Sequence, residues 1–141
     1  MSAEYNLREL ISYNGGTVHD ITFEQFQQFK EKGVLDNSIY VNKTRDFDIV
    51  IHAYLPYYHT RYTLAHELGH YTLHADDKSY AKQKGNDQIE IEAHYFALGL
   101  LLPETLFYSG YKLSKDTDEL SLILCVPPKL INTRKKLLNL K

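Results

Sequence analysis

The first third of the chain has the apolar spacing of two helices. Apolar residues recur three and four positions apart over residues 4–13 and again over residues 22–32. Thr22 and Gln25 have the three-residue spacing of a capping box, in which each side chain bonds the other residue's backbone N–H. We therefore predict two short helices, the second beginning just after Thr22 and ending at Gly33.

Extended segments follow, rich in β-branched and aromatic residues. Residues 38–42 and 47–55 flank a polar loop of hairpin length, which predicts an antiparallel pair of strands. Residues 17–21 are a candidate third strand.

Helical periodicity returns over residues 60–74 and 87–102, with a polar segment between them that has no apolar face to bury. Pro103 cannot continue the second of these helices. Beyond it we expect two short helices, the last starting at the prolines and running to residue 140. A length of 141 residues suits a single domain over residues 1–141.

Charge, cysteine content and the length of apolar runs argue against nucleic-acid-binding, disulfide-bonded and membrane-spanning proteins. The net charge of −2 gives no positive field that would collect nucleic acid, and we expect Arg134, Lys135 and Lys136 to form a solvated helix face. The single cysteine, Cys125, cannot form an internal disulfide, which suits a reducing compartment. The apolar runs are shorter than the roughly 20 residues that span a bilayer. We expect a cytoplasmic protein that contacts neither membrane nor nucleic acid.

Candidate chemistry lies in residues 63–74, TLAHELGHYTLH. His66 and His70 are four residues apart, so on a helix both imidazoles can approach one ion. Glu67 lies beside that ion, where its carboxylate can take a proton from water. H-E-x-x-H is the pattern of zinc peptidases for this reason, and Leu64, Ala65 and Leu68 can bury the helix's other side.

A third metal ligand has to come from elsewhere in the chain. His74 is about 12 Å from His66 along a helix axis, too far for one ion to bridge. A glutamate from a second helix is a common solution, and Glu90 and Glu92 are both available. We favour Glu92, which is one turn before Phe96 on a side expected to face the core. Glu90, which also suits a helix N-terminus, and His94 remain alternatives.

Two spaced motifs resemble the ImmA/IrrE family of zinc metallopeptidases. Residues 61–74, RYTLAHELGHYTLH, are similar to that family's R-F-T-x-A-H-E-h-G-H-x-x-L-H, where h is apolar. Residues 90–104, EIEAHYFALGLLLPE, are similar to its E-x-E-A-N-x-F-A-x-x-L-L-M-P. The resemblance implies an α+β fold: a small gluzincin-like (zincin) domain, with a short, mostly antiparallel sheet packed on the HExxH helix and further helices.

The resemblance also implies residue roles. By position, His66, His70 and Glu92 are ligands of Zn²⁺, and Glu67 is the catalytic glutamate. The family's usual asparagine is His94 here. With Arg61, this histidine is a candidate for stabilising the transition state or supporting the ligands, a choice that the sequence leaves open.

The function expected is that of a zinc-dependent endopeptidase. Family members commonly accompany phage or mobile-element repressors and inactivate them by cleavage, which implies a repressor-like DNA-binding protein as partner and substrate. The alternative is a non-catalytic, zinc-stabilised regulator that binds a repressor without cutting it. Glu67 favours catalysis, because structural zinc sites are closed by four protein ligands. A peptide deformylase is disfavoured, since its cysteine ligand comes from upstream of the HExxH motif and Cys125 is downstream.

Overall fold

Helices make up most of the molecule. The computed structural model describes residues 3–31, 39–40, 47–52, 57–74 and 87–140. In chain order, the elements in these residues are α1 (Ala3–Tyr13), β1 (Gly16–Ile21), α2 (Phe23–Glu31), β2 (Ile39–Tyr40), β3 (Phe47–His52), α3 (Tyr57–His74), α4 (Asp87–Leu101), α5 (Glu104–Tyr111), α6 (Thr117–Leu124) and α7 (Pro128–Leu137).

The two N-terminal helices form as predicted. After α1 the chain turns at Gly15, whose φ of 88° is a conformation that glycine adopts without strain. The capping box of α2 is present: the backbone N–H of Gln25 donates to Thr22 Oγ1 at 3.1 Å, and that of Thr22 donates to Gln25 Oε1 at 3.0 Å. The predicted end of this helix at Gly33 lies outside the described residues.

The sheet is mixed, which corrects the expectation of a mostly antiparallel one. Strand β3 is central: β2 pairs with it antiparallel, as the predicted hairpin requires, but over two residues only. The longer pairing is parallel and joins all six residues of β1 to β3, with Val18 opposite Ile49. Parallel strands need a crossover connection, and the segment containing α2 supplies it. Residues 43–46, the predicted hairpin loop, are outside the described part.

The two long helices, α3 and α4, confirm the helical pattern on either side of the polar segment. The expected apolar side of α3 is buried, with Leu64 and Ala65 fully enclosed and Leu68 2% exposed. This helix packs on β3 and α1 and, over its greatest length, on α4. The predicted loop between the two helices, residues 75–86, lies outside the described residues.

The C-terminal part contains three helices among the described residues, where we expected two. The additional one is α5, which follows Pro103 directly and buries Phe107 completely. Asp116 caps α6 by accepting from the Glu119 N–H at 2.9 Å, and α6 ends at Cys125 in the left-handed conformation, with φ 58°. Helix α7 begins at Pro128, as predicted.

Of the three basic residues of α7 that we expected to form a solvated face, Lys136 is exposed, but Arg134 and Lys135 are bonded to other segments of the chain. Lys135 is 7% exposed, and its Nζ donates to the Lys115 carbonyl and to Thr117 Oγ1. Arg134 donates from Nε and Nη2 to the Leu102 carbonyl at 3.0 and 2.8 Å. Both cations donate to oxygens of residues that are distant in sequence. The spacing of residues along the chain does not reveal such contacts.

One hydrophobic cluster connects the elements. It joins Ile11 of α1, Ile49 of β3 and Leu64 of α3 to Leu98 of α4 and Leu130 of α7, all at most 2% exposed. The rigid attachment of α3 and α4 to this core fixes where their polar side chains meet. No helix in the described ranges combines the length and apolar character needed to cross a membrane.

Candidate active site and metal centre

Two helices bring three potential metal ligands together. His66 and His70 project from successive turns of α3 towards the first turn of α4. Nε2 of His66 is 3.1 Å from Glu90 Oε2, and Nε2 of His70 is 3.2 Å from Glu90 Oε1. The ligand atoms of the three residues all lie within 4.8 Å of one another. Two imidazoles and one carboxylate at such distances can hold a divalent metal.

The glutamate that lies in this cluster is Glu90, whereas the sequence led us to favour Glu92 as the third ligand. The Oε1 atom of Glu92 accepts a hydrogen bond from Gln88 Nε2 at 3.2 Å, on a different side of α4. Ala93 and Ala97, three and seven residues after Glu90, are completely buried and mark the side of α4 that is turned inward. Phe96 also packs on α3, next to Gly69, so it does not distinguish Glu90 from Glu92, whereas the two small alanines do.

Glu67 lies beside the cluster and is not part of it. The residue is 5% exposed, and its Oε1 atom is 3.3 Å from Nδ1 of His66. Its Oε2 atom is buried, and no residue in the described part of the chain bonds to it. A buried carboxylate oxygen without a partner is costly, so this atom fits a site that receives a further polar group such as water.

A hydrogen-bonded chain runs from the cluster to α7. The Tyr62 ring stacks on His66 with centroids 5.4 Å apart, and its hydroxyl is 2.8 Å from His94 Nδ1. Nε2 of His94 is 2.8 Å from Thr133 Oγ1, whose own proton goes to the Lys129 carbonyl. The Thr133 oxygen must therefore accept from His94 Nε2–H. Nδ1 of neutral His94 then accepts the hydrogen bond that the Tyr62 hydroxyl donates.

Burial sets the protonation states around the cluster. It lowers the pKa of His70, although Glu67 and Glu90 act in the opposite direction. It also lowers the pKa of His94, with the Lys129 charge adding to the effect. The pKa of Tyr62 is raised, first by burial and then by the carboxylates of Glu90 and Glu67. The site thus favours the neutral forms of His70 and His94, the neutral imidazole being the metal-binding form, and an intact Tyr62 phenol that can donate.

Lys129 brings a positive charge close to the cluster. Its Nζ lies 4.0 Å from the centroid of the Tyr62 ring, in a cation–π contact. Burial lowers the pKa of this lysine, and the carboxylate of Glu90 opposes that shift.

Sequence reasoning missed Tyr62, Lys129 and Thr133 as residues of the site. Tyr62 lies one turn before His66, and this spacing could have indicated its place beside the cluster. Lys129 and Thr133 belong to α7, and nothing in the sequence connected them with the HExxH motif.

Arg61 is bonded to the backbone at the end of α6. The residue is buried, and its Nη1 donates to the carbonyls of Leu124 and Cys125 at 3.1 and 2.6 Å. These carbonyls are at the negative end of the α6 dipole, where a guanidinium is favourable. The contacts tie α3 to the C-terminal helices.

The comparisons with known proteins agree with the two motifs. The Peptidase_M78 family model, described as the IrrE N-terminal-like domain, matches residues 18–134, which include most of the sheet, both helices that carry the cluster and most of α7. A comparison with curated protein sequences gave no match. The family match covers most of the chain and confirms the resemblance to ImmA/IrrE proteins: the chain belongs to the Peptidase_M78 family.

Proposed function

We propose that this protein is a zinc-dependent endopeptidase that cleaves a repressor-type DNA-binding protein at a specific site. The observation that supports this most directly is the position of Glu67. Its partnerless Oε2 atom is buried beside the His66, His70 and Glu90 cluster. A site built only to bind a structural metal has no need of such a carboxylate.

The donor set and its spacing fit zinc. Two histidines and a glutamate are the protein ligands of one class of catalytic zinc sites, which keep a fourth position open. Neighbouring donor atoms around a tetrahedral ion with bonds of about 2.0–2.1 Å are roughly 3.3 Å apart. Nε2 of His66 is 3.1 Å from Glu90 Oε2 and Nε2 of His70 is 3.2 Å from Glu90 Oε1, so each imidazole faces its own carboxylate oxygen at close to that separation. In this proposal His66, His70 and Glu90 hold the ion in a small zincin-like domain.

Glu67 is the proposed general base. The zinc, when bound, acts as a Lewis acid that polarises the scissile carbonyl and makes water more acidic. Glu67 takes the proton of the attacking water and passes it to the departing amine nitrogen, as one carboxylate can do in two successive steps. Its near-complete burial keeps bulk water from competing for that proton.

His94 and Arg61, the two candidates for a supporting role, act through other residues in this proposal. His94 is bonded through both ring nitrogens and holds the hydroxyl of Tyr62, which packs on the ligand His66. Arg61 anchors the end of α6. Neither has to touch the substrate, so we assign positioning roles to both.

The substrate proposal rests on the resemblance to ImmA/IrrE proteins, which commonly accompany repressors. The test mixes zinc-loaded protein with the repressor encoded beside its gene. We expect a single cut, and we expect the Glu67→Gln protein to bind zinc equally but to cleave at least about 100-fold more slowly. Mass spectrometry locates the cut, and elemental analysis measures the metal. A repressor that is bound tightly but remains intact would establish the non-catalytic regulator instead.

A further inference from the structure

A groove lies between α4 and α7 and begins at the metal cluster. Its volume is about 640 Å³, within the range of sites that bind small molecules or peptide side chains. Helix α4 contributes Glu90, Ile91, His94 and Tyr95 to its walls, and α7 contributes Thr133, Lys136 and Leu137.

The groove is continuous with the candidate active site through Glu90. One carboxylate both lines the groove and touches His66 and His70. His94, one turn further along α4, belongs to the same wall. A polypeptide segment lying in the groove would therefore reach the cluster, so the groove is placed to hold residues next to a bond undergoing cleavage.

The groove presents large apolar side chains to solvent. Ile91 and Tyr95 are each 48% exposed and lie one turn apart on α4, and Leu137 of α7 is 49% exposed. Single exposed apolar residues are common, but these three line one concave surface, where a single inserted side chain can contact all of them. An inserted apolar side chain would remove their area from water, which is favourable.

The groove also carries one cation that is not used within the described structure. Lys136 is exposed, and no carboxylate of the described residues forms an ion pair with it. Its neighbours Arg134 and Lys135 are already bonded to carbonyl oxygens. Glu90, the acidic member of the groove, is a ligand of the metal ion in the proposed function. Lys136 is therefore the charge that is left to pair with an incoming chain.

We propose that this groove selects the substrate segment. It binds a polypeptide in which a large apolar side chain contacts Ile91, Tyr95 and Leu137 while a nearby aspartate or glutamate pairs with Lys136. This inference rests on the proposed peptidase function, because it takes the groove to be the extension of a cleavage site.

Peptide binding tests the groove separately from catalysis. Zinc-loaded Glu67→Gln protein is used to select from a random peptide library, and the affinities of the selected peptides are measured by fluorescence anisotropy. We expect enrichment of peptides that carry a large apolar residue and an acidic one. Tyr95→Ala should weaken their binding about tenfold, and Lys136→Glu should replace the acidic preference with a basic one.

Matched controls come from exposed residues that do not line the groove. Leu122, which is 75% exposed on α6, is the apolar control as Leu122→Ala, and Lys112→Glu is the charge control. Both should bind the selected peptides as the parent does. Thermal unfolding of each variant checks that its fold is retained.

The outcomes separate the groove from the peptidase proposal. Failure to select any peptide, a selection without apolar and acidic bias, or unchanged binding by both groove variants would overturn the groove assignment. Peptides that are selected as expected but are never cut by zinc-loaded protein with Glu67 intact would leave the groove standing. That result would refute the peptidase function alone.

Discussion

Glu90 and Glu92 lie two residues apart on α4, and the rotation of the helix separates their surroundings. The Glu90 carboxylate spans the two imidazoles of α3, at 3.1 and 3.2 Å, whereas Glu92 accepts from Gln88 on its own helix. Two residues turn a helix by about 200°, so the two side chains cannot serve the same site. A shift of two positions along α4 thus decides which carboxylate can join His66 and His70 as a metal ligand.

Zinc binding distinguishes the two glutamates. We expect Glu90→Gln to weaken zinc binding by roughly 100-fold or more, because replacing residues that merely support a ligand already costs 10–100-fold. Glu92→Gln is the matched control and should retain one equivalent of zinc. Competition against a chelator of known affinity, with elemental analysis, gives both values. A Glu92→Gln protein without zinc would restore our sequence-based choice.

At the scale of elements, the close approach of α3 and α4 holds the cluster together. Gly69 lies between the cluster residues of α3, and a Cβ atom there would be 2.9 Å from Cδ1 of Phe96 and 3.0 Å from its Cβ and Cγ. Since Phe96 Cβ is fixed to the backbone of α4, the helices would have to move apart. Glycine at this position permits the contact that brings Glu90 to the histidines.

Substitution of Gly69 should therefore affect both folding and metal binding. We expect Gly69→Ala to lower the free energy of unfolding by about 1–3 kcal/mol, the usual cost of overpacking, and to weaken zinc binding. Gly99→Ala on α4 is the control: nothing lies within 4 Å of its added Cβ, so it should stabilise the helix by about 0.5–1 kcal/mol. Urea unfolding of the metal-free proteins measures the free energy of unfolding of both variants, and competition with a chelator measures their zinc binding. A Gly69→Ala protein as stable as the parent would show that the helices accommodate the added methyl group without cost.

At the scale of the whole molecule, three cations, of which Arg61 and Lys135 are buried, join the C-terminal helices to the rest of the chain. Arg61 of α3 bonds the last carbonyls of α6, and Arg134 of α7 bonds the carbonyl that follows α4. Lys135 bonds the segment before α6. These three side chains donate hydrogen bonds to backbone carbonyls. Two of the basic residues near the C-terminus therefore hold the fold together.

Buried histidines should make the stability of the metal-free protein depend on pH. Burial holds the pKa of His70 and of His94 below the ordinary value of 6.5. As the pH falls through 6.5, the unfolded chain takes up protons that the folded protein resists, so the free energy of unfolding decreases. Above that pH the contribution is fully present. Urea unfolding at pH 7.5, 6.5 and 5.5 should show this decline.

The variant His94→Asn, which removes one of these groups, should give a shallower decline over the same range, whatever its stability at pH 7.5. The comparison of slopes separates proton linkage from the loss of the hydrogen bonds to Tyr62 and Thr133. A steeper decline in the variant would show that His94 is not among the groups responsible.

The sequence alone determined those features that depend on neighbours along the chain. The helix carrying His66, Glu67 and His70 follows from local periodicity, and the capping box of Thr22 and Gln25 is a contact over three residues. The family was also evident, because its motifs are short and spaced along the chain.

Tertiary structure decided what depends on the rotation and pairing of separate elements. It selected Glu90 over Glu92, because the angle at which α4 packs on α3 is set by the whole core. It made the main strand pairing parallel, and it buried Lys135 and Arg61 against distant carbonyls. These contacts join residues from well-separated parts of the chain. Local spacing can indicate which side of a helix faces inward, but it does not determine which segment that side meets.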